Sequence, residues 1–286
     1  MNFDGEFVNK ETWNLFRERF KSDTTEAGYL SDIREFFRLT GKPAEKAGSG
    51  DVKKYYEYMQ GQAEKGRISP ITITKKFREL HSYVSFAGAE DFFYPLLKTM
   101  AVESAEAGHV PVEDMDALLK AAAGDRMTYT ILVLMYRAGL TSTEVIALRG
   151  EEEFIKYDEG VYVMPEGRKE PCYIPEDAWK ILSEYMRERD VQDTLFYNRR
   201  GRPLNVMYIS RMMKKYCTKA GIRSYSAQDV RNSCAFNLFA YGASPVQVAD
   251  QMGRTEQQIR RYRGTAYRGS LKKKTADLVK IRIEEP

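Results

Sequence analysis

"MTYTILVLMYRAGLTSTEVIALR", Met127 to Arg149, decides how this chain is read. Its first half, with "YTILVLMY" from Tyr129 at its centre, is apolar nearly all round and stops at Gly139. A run that short falls well below the roughly 20 residues a membrane span requires, so it predicts a buried helix. Thr141 with Glu144 three residues on reads as a capping box: the hydroxyl takes a backbone N–H and the carboxylate takes another in return. A second helix therefore opens almost at once.

Working outward, "PVEDMDALLKAAAG" predicts a helix between Pro111 and Gly124. After Glu151 the period switches from helical to alternating. "EFIKY" and "VYVMP" predict short strands about the Asp158-Glu159-Gly160 turn, and "PEGRKE" turns into a third, "PCYIP". Three antiparallel strands are too few to stand alone and must pack on helices. Helices resume at Pro175, with the basic loop "YNRRGRPL" between them.

The first hundred residues predict four helices. Trp13, Phe16 and Phe20 share one face; Tyr29, Ile33, Phe36 and Phe37 form a second stripe, stopped by Gly41 and Pro43. Asp51 is read as the cap of a helix bearing Val52, Tyr55, Tyr56 and Met59. Ser69-Pro70 opens a helix with Ile73, Phe77, Leu80 and Val84 inward. "TMAVESAEAGHVP" has no apolar period and is read as a linker. The expected division is thus 1–98, a linker at 99–110, and 111–286.

Composition excludes several classes. Hydrophobic residues make up 43% of the 286 and charged residues 30%, which describes a globular protein and not a disordered one. Cys172, Cys217 and Cys234 have no CxxC spacing, and His81 and His109 are the only histidines. Neither a disulfide framework nor a metal site is expected, and a reducing cytoplasm is. "MNFDGEFVNKE" does not read as a signal peptide. The net charge of +4 is modest, but the basic residues crowd the last third. In "GRTEQQIRRYRGTAYRG", Gly253 to Gly269, Tyr262 and Tyr267 stand among five arginines, with Glu256 the one acid. Such density is either a solvated basic face that carries aromatics or a seat for a phosphodiester beside a tyrosine.

Five stretches in register carry a resemblance: "LVLMYRAGLTSTEVIALR", "EGRKEPCYIP", "FYNRRGRPLN", "SAQDVRNSCAFNLFAYGAS" and "VADQMGRTEQQIRRY". Together they resemble the catalytic domain of the tyrosine recombinases, or phage-type integrases. "TTEAGYLSDIREFF" and "SPITITKKFRELHSYVSF" resemble that family's helical core-binding domain. The resemblance implies a mostly α fold: a helical (SAM-like) core-binding domain followed by a mainly helical catalytic domain with a small three-stranded antiparallel sheet. It implies two domains clamped on double-stranded DNA, a nucleoid-associated protein of a prokaryote or mobile element, and several copies on DNA linked by the C-terminal tail. It also implies breakage and rejoining through a 3′-phosphotyrosine, with no metal, no small-molecule cofactor and no membrane.

Carried over, the resemblance makes Tyr262 the nucleophile, with Tyr267 the lesser candidate. Arg231 in "QDVRN" becomes a phosphate ligand and Lys169 the proton donor to the leaving oxygen. Three positions depart from the pattern. The first arginine is Thr141, the first histidine is Gln228, and the second histidine is Arg254. Arg254 keeps a cation for phosphate but cannot exchange protons. Arg137, one turn upstream of Thr141, is a candidate substitute cation. Arg199, Arg200, Arg202, Arg260, Arg261, Lys75 and Lys76 are expected at the DNA backbone. The alternative reading is a relative with a decayed site that binds DNA without cutting it.

Overall fold

The computed structural model describes residues 7–100, 107–189 and 193–262. The chain divides into two compact units, residues 1–104 and 105–286, each with its own core.

The first unit is helical: α1 (Lys10–Arg17), α2 (Asp23–Thr40), α3 (Ser49–Glu64), α4 (Pro70–Phe86) and α5 (Phe93–Thr99). Side-chain oxygens of Asn9, Ser22 and Ser69 accept the orphan N–H groups of Thr12, Thr25 and Thr72, so each helix starts where its cap allows. Asp51 acts differently from the reading above. It lies in the first turn of α3 and accepts from the Gly48 N–H at 2.9 Å, because the helix begins at Ser49. The inward faces bring Trp13, Phe16, Phe36, Tyr55, Phe77 and Phe93 together as an aromatic core, each 0–1% exposed. The structure adds a fifth helix to the four expected. Asp91 Oδ1 accepts from the Phe93 and Tyr94 N–H groups and so starts the helix ahead of a proline that sits in its first turn, where no N–H is needed.

The second unit holds α6 (Val112–Ala122), α7 (Arg126–Val133), α8 (Ser142–Ala147), α9 (Glu176–Glu188), α10 (Val206–Ala220), α11 (Ala227–Ala240), α12 (Pro245–Met252) and α13 (Glu256–Ile259). A 3-10 turn, Arg260–Tyr262, follows. The sheet is β1 (Phe154–Tyr157), β2 (Gly160–Val163) and β3 (Cys172–Ile174), antiparallel in the order β1-β2-β3. Phe154 faces Val163 and Val163 faces Cys172, so one face of the sheet is buried against helices. This mostly helical fold with a three-stranded sheet is the one expected. Residues 107–110, read above as linker, are docked on α11. Asn232 donates to the Gly108 carbonyl at 2.7 Å, the Val110 N–H donates to Ser233 Oγ, and the His109 ring lies 4.1 Å from that of Phe236. Among the described residues no helix is long and apolar enough to cross a membrane.

The apolar helix α7 does not end as an α-helix. Leu134–Ala138 widens into a π-turn that stops at Gly139, whose φ of +71° suits glycine. Widening turns carbonyls outward. Arg137 O accepts from Cys234 Sγ, Ala138 O from Cys172 Sγ and Gln251 Nε2, and Gly139 O from Arg231 Nε. This turn is the floor on which the site is built.

Candidate active site

Arg231 sits on α11 with 1% of its surface exposed. Its Nε donates to Gly139 O at 2.8 Å and its Nη2 to Met252 O, the carbonyl at the end of α12. Nη1 is buried and has no hydrogen-bond partner among the described residues. Burial lowers the guanidinium to about 10, the Arg254 and Arg168 cations push the same way, and the charges of Glu144 and Tyr262 oppose them. A buried cation with a spare donor and cations around it favours an anion.

Thr141 is the N-cap of α8. Its Oγ1 accepts from the Glu144 N–H at 3.1 Å, and its own N–H donates to Glu144 Oε2 at 2.7 Å. The same carboxylate receives Arg168, from the turn between β2 and β3, in a two-point pair. Arg168 Nε meets Oε1 at 2.6 Å and Nη2 meets Oε2 at 2.7 Å. Arg168 Nη1 donates to Gln251 O at 2.7 Å. Burial alone would raise the Glu144 carboxyl; the Arg168 guanidinium and the Thr141 N–H outweigh it and hold it below the usual carboxylate range. Gln251 ties α12 to the sheet and to the π-turn, with Nε2 donating to Tyr173 O and Ala138 O and Oε1 accepting from the Tyr173 N–H. Gly253 closes α12 at φ +58°, and Arg254 follows with its side chain exposed.

Tyr262 packs its ring among Met252, Ile259 and Phe236 and is 1% exposed, while its Oη accepts from Arg261 Nη2 at 2.7 Å. Lys169 is exposed on the same turn as Arg168 and forms no hydrogen bond or ion pair with a described residue. Gln228 lies on the exposed face of α11 and donates to Asn232 Oδ1 at 2.7 Å. Arg231, Arg254 and Tyr262 therefore come together, with Thr141 and Glu144 beside them and Lys169 on the adjoining turn.

The other expected residues lie elsewhere. Arg137 does not lean into the site, because its Nε pairs with Asp177 at 2.8 Å. Arg199, Arg200 and Arg202 are exposed on a tight turn held by Asn198 Oδ1, which accepts from the Arg200 and Arg202 N–H groups. Arg260 and Arg261 are exposed beside Tyr262. Lys75 and Lys76 belong to the first unit and are engaged by acids: Lys76 with Asp32 and Glu35 at 2.6 and 3.0 Å, Lys75 with Asp32 and Glu79 at 3.1 and 2.7 Å. Tyr267, Arg263, Arg268 and the tail lie outside the described residues. Sequence reasoning missed Arg168 and Gln251. The one available signal was the position of Arg168 beside Lys169 on a sheet turn.

A helical first unit, a three-stranded sheet and a buried arginine on α11 are the features against which the comparisons are set. The chain belongs to the phage integrase family, whose model matches residues 110–267. It is similar to the tyrosine recombinase XerD of Chlorobaculum tepidum, 25% identical over 268 residues that cover 84% of each chain. It is also 29% identical over 137 residues, 44% of this chain and 46% of the relative, to the XerD of Staphylococcus saprophyticus. Among solved structures, the Tn1549 transposon integrase in complex with circular intermediate DNA shares the fold, at a TM-score of 0.73 and 17% identity. That match covers 94% of this chain and 99% of the other. A lambda integrase dimer bound to a core site matches at 0.71 and 14% identity, covering 96% and 97%.

Proposed function

We propose that this protein breaks and rejoins duplex DNA at a specific site through a covalent 3′-phosphotyrosine on Tyr262. The observation that carries the reading is Nη1 of Arg231, buried and without a partner among the described residues, on a guanidinium whose Nε and Nη2 are fixed on backbone carbonyls. Such a group is preorganised for a phosphate oxygen. Arg254, exposed next to it, supplies a second cation for the charge that grows on the non-bridging oxygens. Tyr262 Oη attacks phosphorus, losing its proton to water. The 5′-oxygen departs and takes a proton from Lys169. Reversal by a free 5′-hydroxyl restores the DNA, so the step needs no external energy. Relatives and neighbours named for recombination, several of them solved with DNA, support the substrate class. The exposed arginines at 199, 200 and 202 are assigned to the backbone of that DNA. Assembly on DNA through the C-terminal tail is part of this reading, and truncation after Lys274 should weaken it in gel-shift and crosslinking assays.

A second reading, a protein that binds DNA without cutting it, is favoured by Thr141 in place of an arginine and by the burial of Tyr262. One experiment separates the two. The full chain is incubated with nicked suicide duplexes drawn from the sequences flanking its own gene, and covalent adduct is scored on denaturing gels. Cleavage predicts an adduct that Tyr262→Phe abolishes and Tyr267→Phe leaves. Adduct persisting in Tyr262→Phe overturns the nucleophile. No adduct on a duplex shown to bind specifically leaves the non-cleaving reading in place.

A further inference from the structure

Two guanidinium groups lie side by side on consecutive carbonyls at the end of α12: Arg168 on Gln251 O and Arg231 on Met252 O. They share one carboxylate in their neighbourhood, Glu144, and it is not divided between them. Both its oxygens face Arg168, at 2.6 and 2.7 Å, with the Thr141 N–H as the remaining donor. Arg168 has a partner on each of its three nitrogens, whereas Nη1 of Arg231 has none among the described residues. Glu144 is nevertheless close enough to Arg231 for its charge to favour the Arg231 cation.

A carboxylate largely removed from water is disfavoured without a cation, and the Glu144 side chain is only 16% exposed. Arg168 holds it in the structure, and of the neighbouring cations Arg231 is the buried one, Arg254 being exposed. If Glu144 paired with Arg231, the donor meant for phosphate would be occupied and its charge neutralised.

We propose that Arg168 is a positioning residue that holds Glu144 away from Arg231 and thereby keeps the Arg231 guanidinium available for an anion. The packing fits this role. Arg168 lies so close to Gly253 that a β-carbon there would stand 2.9 Å from its Nε, so residue 253 has no side chain to displace it. Its side chain is 3% exposed and that of Glu144 16%, so salt screens the pair less than it would an exposed one. It is also attached to the turn that carries Lys169, so one guanidinium joins that turn to the start of α8 and the end of α12. Arg168 has both oxygens of Glu144 against it, so its charge is met by that carboxylate and not offered to phosphate.

The proposal deepens the phosphate-site reading and rests on it for Arg231, but its test does not need DNA cleavage. Inorganic phosphate is titrated calorimetrically into the full chain, with Arg231→Gln as the blank that identifies binding at this site. Arg168→Met keeps the apolar stem and removes the cation. Glu144 then turns to Arg231, and phosphate affinity should fall by about tenfold or more, as expected for a charge-assisted bond. The decisive variant is Arg168→Met with Glu144→Gln. Glutamine still closes the capping box with Thr141, yet it offers no charge to compete for Arg231. Affinity should return to within about threefold of wild type, since the charge-assisted bonds at Arg231 are then restored. A purely structural Arg168 predicts the opposite, because losing both partners would leave the turn looser still. Circular dichroism confirms that each variant is folded. Unchanged binding in the single variant, no recovery in the double, or no Arg231-dependent phosphate binding in wild type overturns the proposal. Absence of a DNA adduct with this phosphate pattern intact would sink the cleavage reading and leave Arg168's role standing.

Discussion

At Thr141 a neutral hydroxyl does structural work where the resembling family has a guanidinium. The Oγ1 bond to the Glu144 N–H satisfies an orphan donor at the start of α8. Thr141→Arg should therefore lower stability by about 1 kcal/mol, the usual worth of such a cap. The same change adds a cation beside Arg231 and Arg254. If Tyr262 cleaves, adduct should form faster, by about the hundredfold typical of one preorganised donor. Urea unfolding reads the first effect and single-turnover cleavage the second. Thr141→Ser, which retains the cap, should change neither. A slower rate in Thr141→Arg would mean that the new guanidinium competes with Arg168 for Glu144 instead of meeting phosphate. The capping role of Thr141 was legible from the Thr-x-x-Glu spacing alone, because a capping box is local. The partner of Glu144 was not, since Arg168 lies 24 positions on and reaches it only after the sheet has formed.

At the scale of elements, the site depends on how helices end. The π-turn before Gly139 and the glycine-closed end of α12 both present carbonyls to Arg231. The sequence shows where each helix stops, but a hydrogen-bond pattern that shifts by one residue leaves no mark in periodicity. α5 leaves little mark in periodicity: it spans seven residues, its first N–H groups are taken by Asp91 outside the helix, and Pro95 falls within its first turn. Gly253→Ala tests the element argument. A β-carbon in the left-handed region costs about 1–2 kcal/mol, and here it also presses on Arg168. The variant should unfold at lower urea and lose phosphate affinity together. Acid titration tests the Arg168–Glu144 pair. The Glu144 carboxyl is held below its ordinary 4.5, so its stabilisation is full above that pH and is lost as pH falls through the lower folded value. In Arg168→Met the carboxyl exchanges its two-point partner for Arg231, whose cation burial already disfavours, so that variant has less pairing to lose when Glu144 is protonated. The gap in melting temperature between wild type and Arg168→Met should narrow from about pH 6 to about pH 3. A gap independent of pH would mean that the pair contributes packing and not charge.

For the whole molecule, the bulk charge is a poor guide and the placement of charge a good one. A net charge of +4 from 45 basic and 41 acidic residues does not mark a nucleic-acid binder. Many of those charges cancel locally, as Lys75 and Lys76 do against Asp32, Glu35 and Glu79. Arg199, Arg200, Arg202, Arg254 and Arg260 are exposed and form no ion pair with a described residue. On the DNA-binding reading it is this second set that displaces counterions. Each phosphate neutralised adds roughly 0.9 to the slope of log affinity against log salt. Replacing Arg199, Arg200 and Arg202 together by alanine should therefore flatten that slope by about 2.7, and weaken binding alike on specific and unrelated duplexes. Lys76→Ala should change it by less than one contact's worth, about 0.9, because its ammonium already has two carboxylates. Fluorescence anisotropy across a salt series measures both. A wild-type affinity that stays flat from about 50 to 200 mM salt would remove the phosphate contacts from the account, and with them the DNA-binding reading. A steep slope that survives the triple replacement would move those contacts off this turn and onto other exposed cations.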